Sequence, residues 1–383
     1  MVSLLLAVIY VSFISLGLPD ALLGAAWPTM YPEFGVPISY AGIISVIVSC
    51  GTISSSLLSD RLTRRFGTGK VMVISVALTA LALLGFSFSR NFWLLCLLAI
   101  PYGLGAGGVD AALNNYVALH YASRHMSWLH CMWGVGAATG PYIMSYALAA
   151  GMGWNNGYLY IALFQMVLTA VLFAFLPVWK KKDGGEQEAQ SEALPLPQVL
   201  KIPGAKEIML AFFCYCAIEQ MVGLWASSYL VMKDGISAER AAGFASLFYI
   251  GITAGRAVSG FLTYRLDDKQ MIRLGQAVMA IGIVVMLLPL GEKVSLVGLV
   301  LIGLGCAPIY PSVIHSTPTH FGAENSQAII GVQMASAYVG SLLMPPVFGL
   351  IANYIGVGLL PVVVLLILVV MAWMNEKLNR ISK

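Results

Sequence analysis

Charge is what this chain has least of. Asp, Glu, Lys and Arg together make up 10% of its 383 residues, against roughly a quarter in ordinary soluble domains, while 59% of the residues are hydrophobic. A soluble protein this apolar would expose large aggregation-prone patches, whereas a bilayer makes the same surface favourable. The lipid bilayer is therefore the expected partner. Zinc-site and disulfide-framework spacings are also missing: Cys50, Cys96, Cys131, Cys214, Cys216 and Cys306 all lie in apolar runs and read as small core residues. No basic n-region or cleavage site marks a signal peptide, so the N-terminus reads as a retained first span. The net charge of +4 does not imply a nucleic-acid partner, because the basic residues sit in short loops between apolar runs.

Catalytic constellations are absent as well. No nucleophile–base pair stands out, and neither a metal nor a cofactor is expected. His120, His125 and His130 are spaced by five, which suits neither a metal pair on one helix face nor a zincin pattern. Gly103, Gly105 and Gly108 match a dinucleotide fingerprint as written, but they lie in an apolar run with no preceding strand. Small residues at that spacing, Gly107 included, are better read as allowing close helix packing.

What is present is a series of apolar segments. Crossing about 30 Å of hydrocarbon takes about 20 residues, and cutting at charged or Pro/Gly-rich breaks predicts twelve spans: approximately 3–30, 38–60, 70–89, 92–119, 127–150, 158–178, 206–232, 240–264, 270–290, 294–318, 326–352 and 355–376. One side collects sixteen basic residues: Arg61, Arg64, Arg65, Lys70, Arg124, Lys180, Lys181, Lys182, Lys201, Lys206, Arg265, Lys269, Arg273, Lys377, Arg380 and Lys383. The other side has four, Arg90, Lys233, Arg240 and Lys293. The positive-inside rule then puts both termini in the cytoplasm of a plasma (inner) membrane protein. A polar and then Pro-rich stretch, 179–205, reads as a flexible cytoplasmic linker between a six-span half at 1–178 and another at 206–383.

The halves echo one another at an offset of about 200 residues, as in transporters built from two similar bundles. Asp20, Gly24 and Trp27 are matched by Glu219, Gly223 and Trp225. Ser56 to Arg61 is matched by Gly260 to Arg265, Gly103 and Gly105 by Gly303 and Gly305, and Gly136 to Pro141 by Gly340 to Pro345. Because both halves start on the same side they are parallel repeats, which places a central site between them near the midplane.

On these residues the chain resembles the major facilitator superfamily. The matching pieces are the loop signature Asp60, Arg61, Arg64, Arg65 and Gly67, its weaker copy Gly260, Tyr264 and Arg265, and Gly136, Gly140 and Pro141 in the fifth span. Ser56 replaces the usual first Gly of the signature. The resemblance implies an all-α membrane protein of twelve helices in two pseudo-symmetric six-helix bundles, working by alternating access. More narrowly, the chain looks like the fucose-galactose-glucose:proton symporters through Gly17 to Asp20, Gly103 to Asn114, His130 to Gly136, Glu219 with Trp225, and Gly255 with Arg256 and Gly260. That likeness implies proton coupling and sugar binding at Asp20 and Asp110. The fourth-span acid is usually glutamate in those proteins, and Asp110 is one methylene shorter.

Ionisable residues inside spans cost roughly 2.5–3.5 kcal/mol each, so each needs a partner or a water-filled cavity. Asp20 follows Pro19, which frees a backbone carbonyl and invites a kink. Its bland alternative is a kink-capping acid. Asn114 lies one turn beyond Asp110 on the same face, ready for a proton or polyol hydroxyls or simply to satisfy the carboxyl. Removal from water disfavours a charged carboxylate, so alternating access would let either acid take a proton on one side and release it on the other. Glu219, which pairs with Asp20 by repeat position, is a further proton-site candidate or a ligand for sugar hydroxyls. Arg256 is expected to neutralise one of these acids or to snorkel toward the cytoplasmic end.

Substrate candidates combine aromatic platforms with amides: Trp27, Trp133, Trp225, Tyr310, Tyr338, Asn114, Asn115, Gln220, Gln333 and His130. Most aromatics in spans are packing or interfacial anchors. Asp60, Arg61, Arg64, Arg65 and Arg265 read as a gating latch rather than as mere topology signals. The expected activity is proton-coupled symport of a small polar solute, a monosaccharide by resemblance, by a monomer that is not an enzyme. A proton-driven exporter and a non-transporting multi-pass sensor are the alternatives.

Overall fold

The computed structural model describes residues 2–121, 123–179 and 196–381, and among them helix is the regular structure throughout. The predicted first span is broken in two, α1 (Val2–Asp20) and α2 (Leu22–Phe34), which meet at Ala21. Pro19 lies in the last turn of α1, where it can donate no backbone hydrogen bond, and the helix stops one residue later at the acid. There follow α3 (Ala41–Phe66), α4 (Thr68–Phe88), α5 (Phe92–His120), α6 (Ser123–Ala149), α7 (Trp154–Ala174) and the single turn α8 (Leu176–Trp179). After the turn α9 (Leu196–Val199) come α10 (Ala205–Met232), α11 (Ala238–Leu262), α12 (Asp268–Leu287), α13 (Glu292–Phe321), α14 (Ala323–Tyr354) and α15 (Leu360–Ile381). Most of the predicted linker lies outside the described residues.

Eleven helical stretches among the described residues are long and apolar enough to cross a membrane, α1 and α2 counting together as Leu4–Phe34. α6 occupies the place of the predicted fifth span; its first turns carry His125 and His130 and dilute its apolar character. One boundary moves for a clear reason. Sequence reading ends the second span at Asp60, but α3 continues to Phe66 and only Gly67, at φ +80°, separates it from α4. Charged residues stop a hydrophobic run without stopping a helix, and here Gly in the left-handed half of φ space makes the turn.

Packing groups the helices into two compact units. One holds the described residues up to Trp179 with Ile236–Ser246, the other those from Leu196 to Gly235 with those from Leu247 onward. Inside each, the same glycines make the same close approaches. A Cβ on Gly103 would overlap the Val48 carbonyl, and one on Gly303 the Phe248 carbonyl. A Cβ on Gly105 would meet the Ser75 carbonyl, and one on Gly305 the Gly275 carbonyl. Backbones in contact at small residues are how helices associate where lipid removes the hydrophobic drive. The glycine run that mimics a dinucleotide fingerprint is thus a packing seam, and the internal repeat is a repeat of contacts as well as of letters.

Candidate functional site

The break between α1 and α2 leaves Asp20 accessible at a helix end, just beyond the buried Gly17, Leu18 and Pro19. Among the donors to its carboxylate are two from other helices. The Trp133 indole N–H of α6 reaches Oδ2 at 2.7 Å, and the Tyr102 hydroxyl of α5 reaches Oδ1 at 3.2 Å. Asp20 and Trp133 were expected in the site. Tyr102 was not, although its place on the glycine-rich helix that carries Asp110 was a usable signal.

The carbonyl that Pro19 leaves without its i+4 donor is that of Ser15. It accepts from the Gln165 side-chain Nε2 of α7 at 2.9 Å. Gln165, almost fully buried, is the second residue that sequence reasoning passed over. A lone amide in an otherwise apolar span is flagged by the same desolvation argument that singles out the acids.

Asp110 and Asn114 pair as their spacing predicts: the amide Nδ2 donates to Asp110 Oδ1 at 2.9 Å and to its backbone carbonyl at 3.0 Å. Both residues are half-buried. α5 therefore carries two elements of the site, Tyr102 facing Asp20 and Asp110 about two turns further on.

The other unit gathers its own charges. Arg256 of α11 sits against Tyr215 of α10, with Glu219 of α10 and Tyr310 of α13 within electrostatic reach. The buried Glu219 also acts on Tyr215 and on Cys306. Arg256 therefore faces an acid of its own unit. Gln220, next along α10, is exposed. The Tyr310 ring packs on Phe212 and its hydroxyl points to the Met334 sulfur at 3.6 Å. Tyr338 is half-buried.

Several candidates are placed in packing. Trp27 and Trp225 are fully buried and spend their indole N–H on backbone carbonyls, those of Ile38 at 2.7 Å and Pro345 at 3.0 Å. An indole is donor-only, so neither offers a polar handle, and the Trp27 ring packs with Tyr31 and Phe92 and the Trp225 ring with Phe348. Gln333 is fully buried and accepts from Thr317 at 3.1 Å. His130 meets Phe13 edge-on. Of the latch residues, Arg265 is exposed and Arg65 lies over the Phe66 ring at 5.4 Å. The side chains of Asp60, Arg61, Arg64 and Asn115 lie outside those described.

Comparison with known proteins bears on what this arrangement serves. A family model described as Major Facilitator Superfamily matches residues 9–293 and 235–380. Similar proteins include bypass of stop codon protein 6 of Saccharomyces cerevisiae, 22% identical over 92% of this chain and 77% of that protein. The glucose/mannose transporter GlcP of Bacillus subtilis is 22% identical over 79% and 77%, and the 4-hydroxybenzoate transporter PcaK of Pseudomonas aeruginosa 22% over 88% and 84%. Among solved structures, the nucleoside transporter NupG superposes with a TM-score of 0.79 at 12% identity, covering 98% of this chain and 99% of its own. A bacterial homologue of the human lysosomal transporter Spinster gives 0.74 at 11%, covering 99% and 97%. At these identities the structures speak for the fold alone, shared over nearly the whole chain.

Proposed function

The chain belongs to the major facilitator superfamily, and from that premise we propose that it is a secondary transporter, moving a small polar solute in symport with a proton by alternating access. The observation that carries this reading is the Asp20 carboxylate, accessible at a helix break and held by Trp133 and Tyr102.

The two donors differ in what they allow. An indole N–H only donates, whereas a phenol both donates and accepts. A proton arriving at Asp20 therefore belongs on Oδ1, where Tyr102 can turn its hydroxyl round and accept, while Trp133 keeps its bond to Oδ2. Protonation is then a hydrogen-bond reversal on α5, the helix that also carries Asp110 and Asn114, and this gives a route from proton binding to a solute-facing acid and amide.

The substrate class follows from charge. Relatives include a glucose/mannose transporter and a 4-hydroxybenzoate transporter, one solute neutral and the other an anion. An anionic solute at membrane depth needs a cation to meet it, and Arg256 already faces Glu219. Asp110 and Asn114 offer a carboxylate and an amide suited to hydroxyls. We therefore favour a monosaccharide, in keeping with the likeness to fucose-galactose-glucose:proton symporters. The excess of Lys and Arg on one side supports a plasma-membrane carrier with cytoplasmic termini.

The test is uptake of labelled monosaccharides into proteoliposomes with and without an inward proton gradient, with Asp20→Asn alongside. Gradient-stimulated uptake of one sugar, lost in the variant, is the expected result. Stimulation by an outward-directed gradient, or uptake of 4-hydroxybenzoate with no sugar transported, overturns the reading in favour of an exporter or an organic-acid carrier.

A further inference from the structure

Between α1, α4, α5 and α7 lies a small cavity whose polar walls are Ser12, Ser15, Thr79, Tyr102 and Gln165. Three of the hydroxyl protons around it are already committed. Ser12 donates to the Val8 carbonyl at 2.8 Å, Thr79 to that of Val76 at 2.9 Å, and Tyr102 to Asp20 at 3.2 Å. The Gln165 amide is oriented by its bond to the Ser15 carbonyl, the one Pro19 leaves open, so its Nε2 is fixed on the α1 side. The other amide atom, Oε1, is buried on a side chain 1% exposed and has no hydrogen-bond partner.

An unmet buried acceptor is costly, and this one borders a cavity with room for about one water molecule and several polar neighbours, the combination that ordered internal water requires. Most of the wall presents oxygens whose protons point elsewhere, and Gln165 Oε1 can only accept, so the occupant that satisfies it is a donor. A bare sodium ion is the poorer fit, because no carboxylate lines the wall to repay its desolvation.

We infer that one water molecule is built into this unit, donating to Gln165 Oε1 and to the Tyr102 oxygen, and that through it Gln165 is a positioning residue for Asp20. The second half rests on the reading of Asp20 as the proton-coupling acid. When a proton on Asp20 makes Tyr102 an acceptor, the phenolic O–H needs a new acceptor. The water supplies it, turning to receive from Tyr102 while still donating to Gln165. No covalent step is involved: the water's second O–H, released by Tyr102, passes to a hydroxyl oxygen of the wall such as Ser12 or Thr79, whose own protons are donated to backbone carbonyls.

The experiment is radiolytic hydroxyl-radical labelling of the full-length protein in H2 18O, because a bound water labels the side chain it touches. Tyr102 is expected to take up oxygen despite its burial, while Tyr158, also buried and not lining the cavity, stays unlabelled. Gln165→Leu should lose the Tyr102 label and displace the pH profile of uptake by about half a unit, as one lost hydrogen bond allows. Gln165→Glu, which retains an oxygen, should keep the label. Labelling of Tyr158 reports unfolding, and if Gln165→Leu fails that control the wild type and Gln165→Glu decide. An unlabelled Tyr102 in the wild type overturns the water. A label that persists in a folded Gln165→Leu, or a pH profile that does not move, overturns the role of Gln165. Loss of the label in sodium but not in choline overturns the assignment in favour of a cation. The labelling result is independent of whether Asp20 couples protons, so failure of the transport reading is separately visible in Asp20→Asn.

Discussion

Trp133 donates its indole N–H to Asp20 at 2.7 Å across 113 positions of sequence. The bond ties the acid at the α1 break to the middle of α6, and the two helices are already pressed together: a Cβ on Gly17 would overlap the Trp133 carbonyl, and one on Gly136 that of Ile14. Glycine thus brings the backbones close, and the closeness lets the indole reach the carboxylate.

Trp133→Phe keeps the ring and removes the donor. A hydrogen bond to a charged group is worth about 1.5–3 kcal/mol, so proton-driven accumulation should fall by about tenfold or more, while counterflow exchange of solute, which needs no net proton movement, is retained. Proteoliposome accumulation and counterflow assays on the same preparation check this; an equal fall in both would point to a folding or solute-binding defect instead.

Asp110→Asn should abolish proton-driven accumulation and spare exchange, with uptake losing its dependence on pH. Asn114 can still donate to the new amide oxygen, so the helix face is preserved. Unchanged accumulation in this variant would remove Asp110 from the coupling scheme.

Glu219→Gln removes the acid within reach of Arg256. Breaking a buried charge arrangement by deleting one partner costs about 3–5 kcal/mol, whereas deleting both is far milder. Thermal unfolding in detergent should therefore show a large drop for Glu219→Gln and partial recovery in Glu219→Gln/Arg256→Gln. Additive losses in the double variant would separate the two residues.

Gly103→Val and Gly303→Val should both be strongly destabilising, by more than the about 1–3 kcal/mol of ordinary overpacking, because the clash is with backbone carbonyls. Gly260→Ala should be tolerated, since a Cβ there meets nothing within 4 Å. The yield of monodisperse protein and its melting temperature measure all three.

Much of this molecule is legible from local information. Apolar run length decides that the helices span a membrane, since each residue adds a fixed rise and lipid leaves backbone polar groups no partner outside the segment. Pro19 beside Asp20 announces a break at the acid, and the 200-residue echo between Gly103 and Gly303 announces two like packings. The Asp110 and Asn114 pair follows from helical periodicity alone.

What only the tertiary structure decided are the contacts made across helices, because span order and periodicity leave rotation and depth open. That Glu219 acts on Arg256, which donors hold Asp20, and which amide caps the carbonyl that Pro19 frees depend on the faces α5, α6, α7, α10 and α11 turn to their neighbours. The same freedom explains Trp27 and Trp225. Their composition suits a sugar platform, but their burial and their bonds to backbone carbonyls make them packing. Residue chemistry, then, determined that this chain lives in a bilayer and carries titratable groups there. The rotation of each helix about its axis, set by glycine-sized contacts far apart in sequence, decided which of those groups meet.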